Sequence, residues 1–182
     1  MKSFMKCVGA VAAVVLMTSA AVAGDTITAG KVKSVNADKK EFVLTDAGGK
    51  DRTFKLGDEA VINRAGKESP NGLKTDDAVS VCYDKGTLTW TAHYILVKEG
   101  DTKEYQLRRG SFKNFDLDKK TFTYTDVDGK DWTYPMADAK VRLNMQDSKI
   151  EDIKIGDMTV VIVEEIGDKA NLKALMFSRK AN

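Results

Sequence analysis

Asp126, Asp128 and Asp131 crowd around Gly129 in the stretch Thr125-Asp126-Val127-Asp128-Gly129-Lys130-Asp131-Trp132. Carboxylates at such spacing are what a hard divalent cation takes as oxygen ligands. A helix–loop–helix calcium loop needs oxygens at its first, third and fifth positions, glycine at the sixth and glutamate at the twelfth. Counted from Asp126, glycine falls at the fourth position, and Trp132 to Ala137 brings no glutamate. The competing reading is a hairpin turn, for which Asp-Gly supplies the positive φ. A weak divalent site at Asp128 is the alternative.

Other chemistry is sparse. Nucleophilic catalysis by Cys82 would need a base, and His93 is the single histidine. No third orienting group or recognisable motif accompanies that pair. Cys82 lies in Val79-Ser80-Val81-Cys82-Tyr83, where a small buried apolar role is expected. No phosphate-binding glycine loop, nucleophile motif or metal-ligand cluster occurs, so neither catalysis nor a cofactor is expected. The adjacent acids Asp76-Asp77 and Glu164-Glu165 read as solvated charge. Two aromatic residues stand out as ligand candidates, Trp132 just beyond the glycine turn and Trp90. Either ring could stack on a sugar, peptide or base, or cap a core. Trp132, Asp128 and Trp90 are the candidate ligand-binding residues.

These residues must be positioned by a duplicated unit. GKVKSVNADKKEFVLTDAGGKDRTFKL from Gly30 and GSFKNFDLDKKTFTYTDVDGKDWTYPM from Gly110 align without a gap at an offset of eighty positions. The correspondence continues through Val61 and Val141, Leu73-Lys74 and Ile153-Lys154, Asp77 and Asp157, and Val81 and Val161. What both copies keep of the acidic stretch is Thr-Asp, Gly-Lys-Asp and the bend. Asp128 and Trp132 are special to the second copy, standing where the first has Gly48 and Arg52.

Phe42 and Leu44, like Phe122 and Tyr124, alternate with polar residues at the period of a half-buried strand. Phe54 and Leu56, or Tyr134 and Met136, repeat the pattern one strand later. Tyr83, Tyr94, Tyr124 and Tyr134 fall on strand periods and are expected in the core. Only Ser69 to Lys74 and Ser148 to Lys154 could form a helical turn. The expected architecture is all-β, two tandem small barrels of five or six short strands each. Pro135 has no N–H for a ladder and should mark an edge or a seam. The join, about Lys98 to Gln106, is short and polar, so the units should be close neighbours.

Gly30, Val32, Val35, Phe42, Thr45-Asp46, Gly49-Lys50, Leu73-Lys74 and Asp77, with their partners eighty positions on, carry a resemblance. The pattern looks like small exported bacterial β-barrel domains of unknown function with OB- or SH3-like folds. That resemblance implies architecture and no catalytic residues.

The N-terminus reads as a Sec-type signal peptide over residues 1–23. Lys2 and Lys6 precede an apolar run from Cys7 to Met17, and Ala21-Val22-Ala23 is an A-x-A cleavage signal. The units then span 24–103 and 104–182, in a periplasmic or secreted protein not inserted in the membrane. Without Lys2 and Lys6, the 29 basic side chains fall to 27, equal to the 27 acidic ones. Such balance argues against a general nucleic-acid binder, which normally carries a basic surplus. The expectation is a non-catalytic envelope protein that binds a protein, peptide or glycan. A divalent-metal or small-ligand binder and a purely structural envelope protein are the alternatives.

Overall fold

The computed structural model describes residues 26–64, 67–69, 72–100, 104–136, 139–144, 146–166 and 169–179, the Glu59 side chain excepted. The signal-peptide segment lies outside them. The chain forms two β-sheets, one from each copy. The first contains β1 (Thr26–Asn36), β2 (Glu41–Asp46), β3 (Asp51–Arg64), β4 (Lys67–Glu68), β5 (Ala78–Lys85) and β6 (Trp90–Val97). The second contains β7 (Tyr105–Asp116), β8 (Thr121–Asp126), β9 (Asp131–Pro135), β10 (Lys140–Leu143), β11 (Gln146–Asp147), β12 (Met158–Ile166) and β13 (Lys169–Ser178). Several strands are longer than expected, β3 reaching 14 residues. One 3-10 turn, Ile150–Asp152, falls within the helical turn expected for the second copy. No described helix is long and apolar enough to cross a membrane.

In the first sheet the ladders run in a ring. β1 pairs with β2, β2 with β3, β3 in parallel with β6, β6 with β5, and β5 with β1. The second sheet repeats this except at one seam, and its order runs β11-β10-β13-β12-β7-β8-β9. Where the first copy has the continuous β3, the second has β9 and β10, broken just after Pro135. Lys55, which matches Pro135, sits in the β3–β6 ladder opposite Thr91. Proline cannot donate at that place, so β9 becomes the sheet edge.

The duplication is preserved in detail. Both copies carry a bulge in the first ladder, between Val32 and Ser34 and between Phe112 and Asn114. Both carry another between Cys82 and Tyr83, or Ile162 and Val163. One sequence match does not survive. Val61 faces Tyr94, but Val141 faces Leu175, so the register equivalent of Val141 is Ile62 opposite Ile95. The irregularity in β3 between Leu56 and Val61 shifts the count by one residue, which turns a side chain to the other face.

Each sheet wraps its own core. Val32, Phe42, Leu44, Phe54, Val81 and Ile95 are central in the first, and Phe122, Tyr124, Val161, Leu175 and Phe177 in the second. A third cluster lies between the sheets. Cys82, Tyr94 and Leu96 of the first unit meet Leu107, Val160, Ile162 and Met176 of the second. Tyr94 therefore belongs to the shared face and not to the first core, because the bulge after Cys82 places it opposite that residue. Cys82 is a buried thiol in the same face.

The shared face is nearly self-complementary. Ile27, Cys82, Tyr94 and Leu96 contribute from one side, and their counterparts Leu107, Ile162, Ala174 and Met176 from the other. This is the arrangement of an isologous dimer interface, here within one chain. Glu68 adds ion pairs to Lys140 and Arg142 across it.

Candidate functional site

The two glycine hairpins are built alike. In the second copy Asp126 ends β8, and its Oδ1 accepts the backbone N–H groups of Asp128 and Lys130, both at 2.9 Å. Gly129 takes φ of 81°, the left-handed value for which glycine is suited. Oδ2 of Asp126 accepts the Trp132 indole N–H at 2.7 Å. In the first copy Asp46 accepts Gly48 N–H, Lys50 N–H and, in place of the indole, Arg52 Nε at 3.1 Å. Asp131 accepts the Thr125 hydroxyl at 2.7 Å and pairs with Lys113. The Trp132 indole bond and the backbone donors hold the Asp126 carboxyl below the usual range. Lys113 and Thr125 do the same for Asp131.

Two of the three carboxylates in this stretch are thus consumed in fixing the hairpin, and only Asp128 projects outward. Among the described residues no group of three or more His, Cys, Asp or Glu side chains is placed to hold a metal ion. Asp77 and Asp157, another matched pair of acids, lock a loop. Each accepts a backbone N–H three residues earlier, from Lys74 or Lys154, and an arginine. That arginine is Arg64 at the end of β3 in one copy and Arg179 beyond β13 in the other.

The structure separates the candidate residues. Trp90 is half-buried against the first core, stacked on Tyr83 with centroids 5.2 Å apart and with Arg52 4.7 Å from its ring. It borders a shallow hollow shared with Leu88 and Lys85. Trp132 stands in the other unit and begins a row of rings that runs inward through Tyr134 and Tyr124 to Phe122. Arg108 and Lys130 lie 4.5 and 3.8 Å from its ring centre. Asp128 lines neither the hollow at Trp90 nor the cleft at Trp132. His93 Nε2 lies 2.8 Å from Asp84 Oδ2.

Trp132 instead walls a cleft of about 400 Å³ between the two units, within the range of small-ligand sites. Thr26 and Ile27 of β1 form one side, and Arg108 and Arg109 of β7 the other. Tyr124 reaches the floor, and Asp126 and Val127 the rim. Arg108 is anchored by Glu165 at 2.6 Å, Gln106 at 2.9 Å and the Tyr134 hydroxyl at 2.9 Å. The Arg109 side chain makes no hydrogen bond or ion pair with a described residue. The Tyr124 hydroxyl is buried without a hydrogen-bond partner among the described residues, and burial raises its pKa.

Strand register gives each cleft residue of the second unit its counterpart in the first. Arg108 and Arg109 stand where Thr28 and Ala29 do, opposite Val161 and Val160 as the latter are opposite Val81 and Ser80. Tyr124 replaces Leu44, Val127 replaces Ala47 and Trp132 replaces Arg52. Asp126 alone is unchanged from Asp46. The arginines could not be singled out from composition, because the chain's charge is balanced overall. The signal available was the comparison of Arg108-Arg109 with Thr28-Ala29 at the same offset.

No family model matches the chain, and no curated protein matches it. Among solved structures it is similar to "drosophila Unr CSD456" at 13% sequence identity and a TM-score of 0.29, with 85% of this chain and 62% of that one covered.

Proposed function

We propose that this chain is a non-catalytic binding protein of the bacterial cell envelope, exported behind residues 1–23. It is built from two fused OB-like barrels and engages a protein, peptide or glycan partner through the cleft at Trp132. The ring of five strands in the first unit, with β3 and β6 parallel, supports the OB-like reading. One observation carries the binding reading. At equivalent positions of a duplicated unit, Thr28, Ala29, Leu44 and Arg52 have given way to two arginines, a tyrosine and a tryptophan around one cleft. Aromatic and arginine side chains dominate the energetics of recognition surfaces.

A photo-cross-linking side chain placed at Val127, 60% exposed on the cleft rim, tests this in an envelope extract. The expected result is a discrete adduct at position 127 that is absent with the same probe at Asp118, on an exposed turn. Equal or no labelling at the two positions would remove the binding reading.

A further inference from the structure

Successive residues of a strand point to opposite faces. A cleft lined by both Arg108 and Arg109, and by both Thr26 and Ile27, therefore meets β7 and β1 along their edges. Those edges are open. β1 pairs with β5 over Thr26–Lys31 but with β2 only from Gly30 onward. β7 pairs with β12 over Tyr105–Ser111 but with β8 only from Gly110 onward. Among the described residues, Thr26–Ala29 and Tyr105–Arg109 have no second ladder and no turn hydrogen bond to replace it. The two strands lie beside each other without pairing.

We infer that this cleft receives the C-terminal end of a partner polypeptide, its main chain on the open β7 edge and its terminal carboxylate on Arg109. This rests on the binding reading above and names the ligand's chemistry. Unpaired main-chain groups favour a ligand that itself carries a peptide backbone, as in strand addition. Charge selects the end of that chain. Among the described residues, Arg108 is matched by Glu165 and the Asp126 oxygens are taken up by its hairpin and Trp132, which leaves Arg109 as the lining charge whose side chain has no hydrogen-bonded partner. A guanidinium fork suits a carboxylate in two-point contact. Ile27 and the exposed Val127 offer apolar walls for a terminal aliphatic side chain. The volume of about 400 Å³ is small, as suits a chain end more than a through-running segment.

The test uses the mature full-length chain and an immobilised peptide library covering every C-terminal tripeptide, in free-acid and amidated forms. Sequences ending in an aliphatic residue are expected to bind as free acids. Amidation or Arg109→Ala should weaken them about ten- to a hundredfold, the effect of losing one charge-assisted contact, and Arg109→Lys should fall between. Arg109 holds no described side chain, so its replacement leaves the fold's own ion pairs in place. If no sequence distinguishes wild type from Arg109→Ala, or if amides bind as well as acids, the inference is wrong. An adduct at position 127 with no library binding would overturn only this ligand assignment. Loss of both would overturn the binding reading too.

Discussion

Replacing Ile162 by Asp should unfold the whole chain, not just the second unit. Ile162 is 1% exposed, yet its side chain faces Cys82, Tyr94 and Leu96 of the first unit, not the second unit's own core. A carboxylate there sits among the apolar side chains of that cluster and must be desolvated or protonated. Truncating such a residue costs about 2–5 kcal/mol, and an unpaired buried acid costs more. Since a domain's net stability is roughly 5–15 kcal/mol, this one change is expected to leave little folded protein at 25 °C. Urea unfolding followed by circular dichroism reads the loss. A variant within about 1 kcal/mol of wild type would mean that the third cluster contributes nothing.

Gly110→Ala should be the most damaging methyl group that can be added to the second unit. Its Cβ would stand 2.1 Å from the Thr125 carbonyl oxygen and 2.7 Å from a Tyr124 ring carbon. The oxygen belongs to the backbone of the paired strand β8, so relief requires β7 and β8 to part. Gly30 meets the same obstacle at 2.3 Å from the Thr45 oxygen, which explains why both copies hold glycine there. Overpacking of this kind costs about 1–3 kcal/mol, and a backbone obstacle belongs at the upper end. For a chain of this size a fall in Tm of roughly 6–12 °C should follow. Gly48→Ala is the control, because its Cβ meets only the Asp46 side chain, at 3.3 Å. Equal melting of the two variants would show that β7 and β8 can part at little cost.

The strands, hairpins and duplication were legible because they rest on local rules. Phe42 and Leu44 alternate, Asp-Gly takes the left-handed turn, and Pro135 breaks a ladder whatever surrounds it. The shared face was less legible. Val79–Tyr83 and Thr159–Val163 are buried on successive residues. Uninterrupted burial marks a strand covered on both faces, whereas periodicity alone reads such runs simply as strands. Tyr94 shows the same difficulty, since only the bulge after Cys82 decides which face it takes.

The candidate site was legible in part. Trp132 is identifiable as a departure from Arg52. Asp128 is equally a departure, but nothing local tells that it points away from the cleft. Thr26 and Ile27 reach the site only through packing between copies, which no spacing within either copy encodes.

The two copies form one body, with the cleft at their junction. The chain has two tryptophans, Trp90 packed against the first core and Trp132 against the second. Trp90→Phe and Trp132→Phe therefore leave a fluorescent reporter in one unit at a time. The decisive measurement is the urea midpoint reported by Trp90 when Gly110→Ala is introduced in the other unit. A single body requires that midpoint to fall as far as the one reported by Trp132. A Trp90 midpoint that stays in place while Trp132 moves would show two independently folding units and contradict a single body.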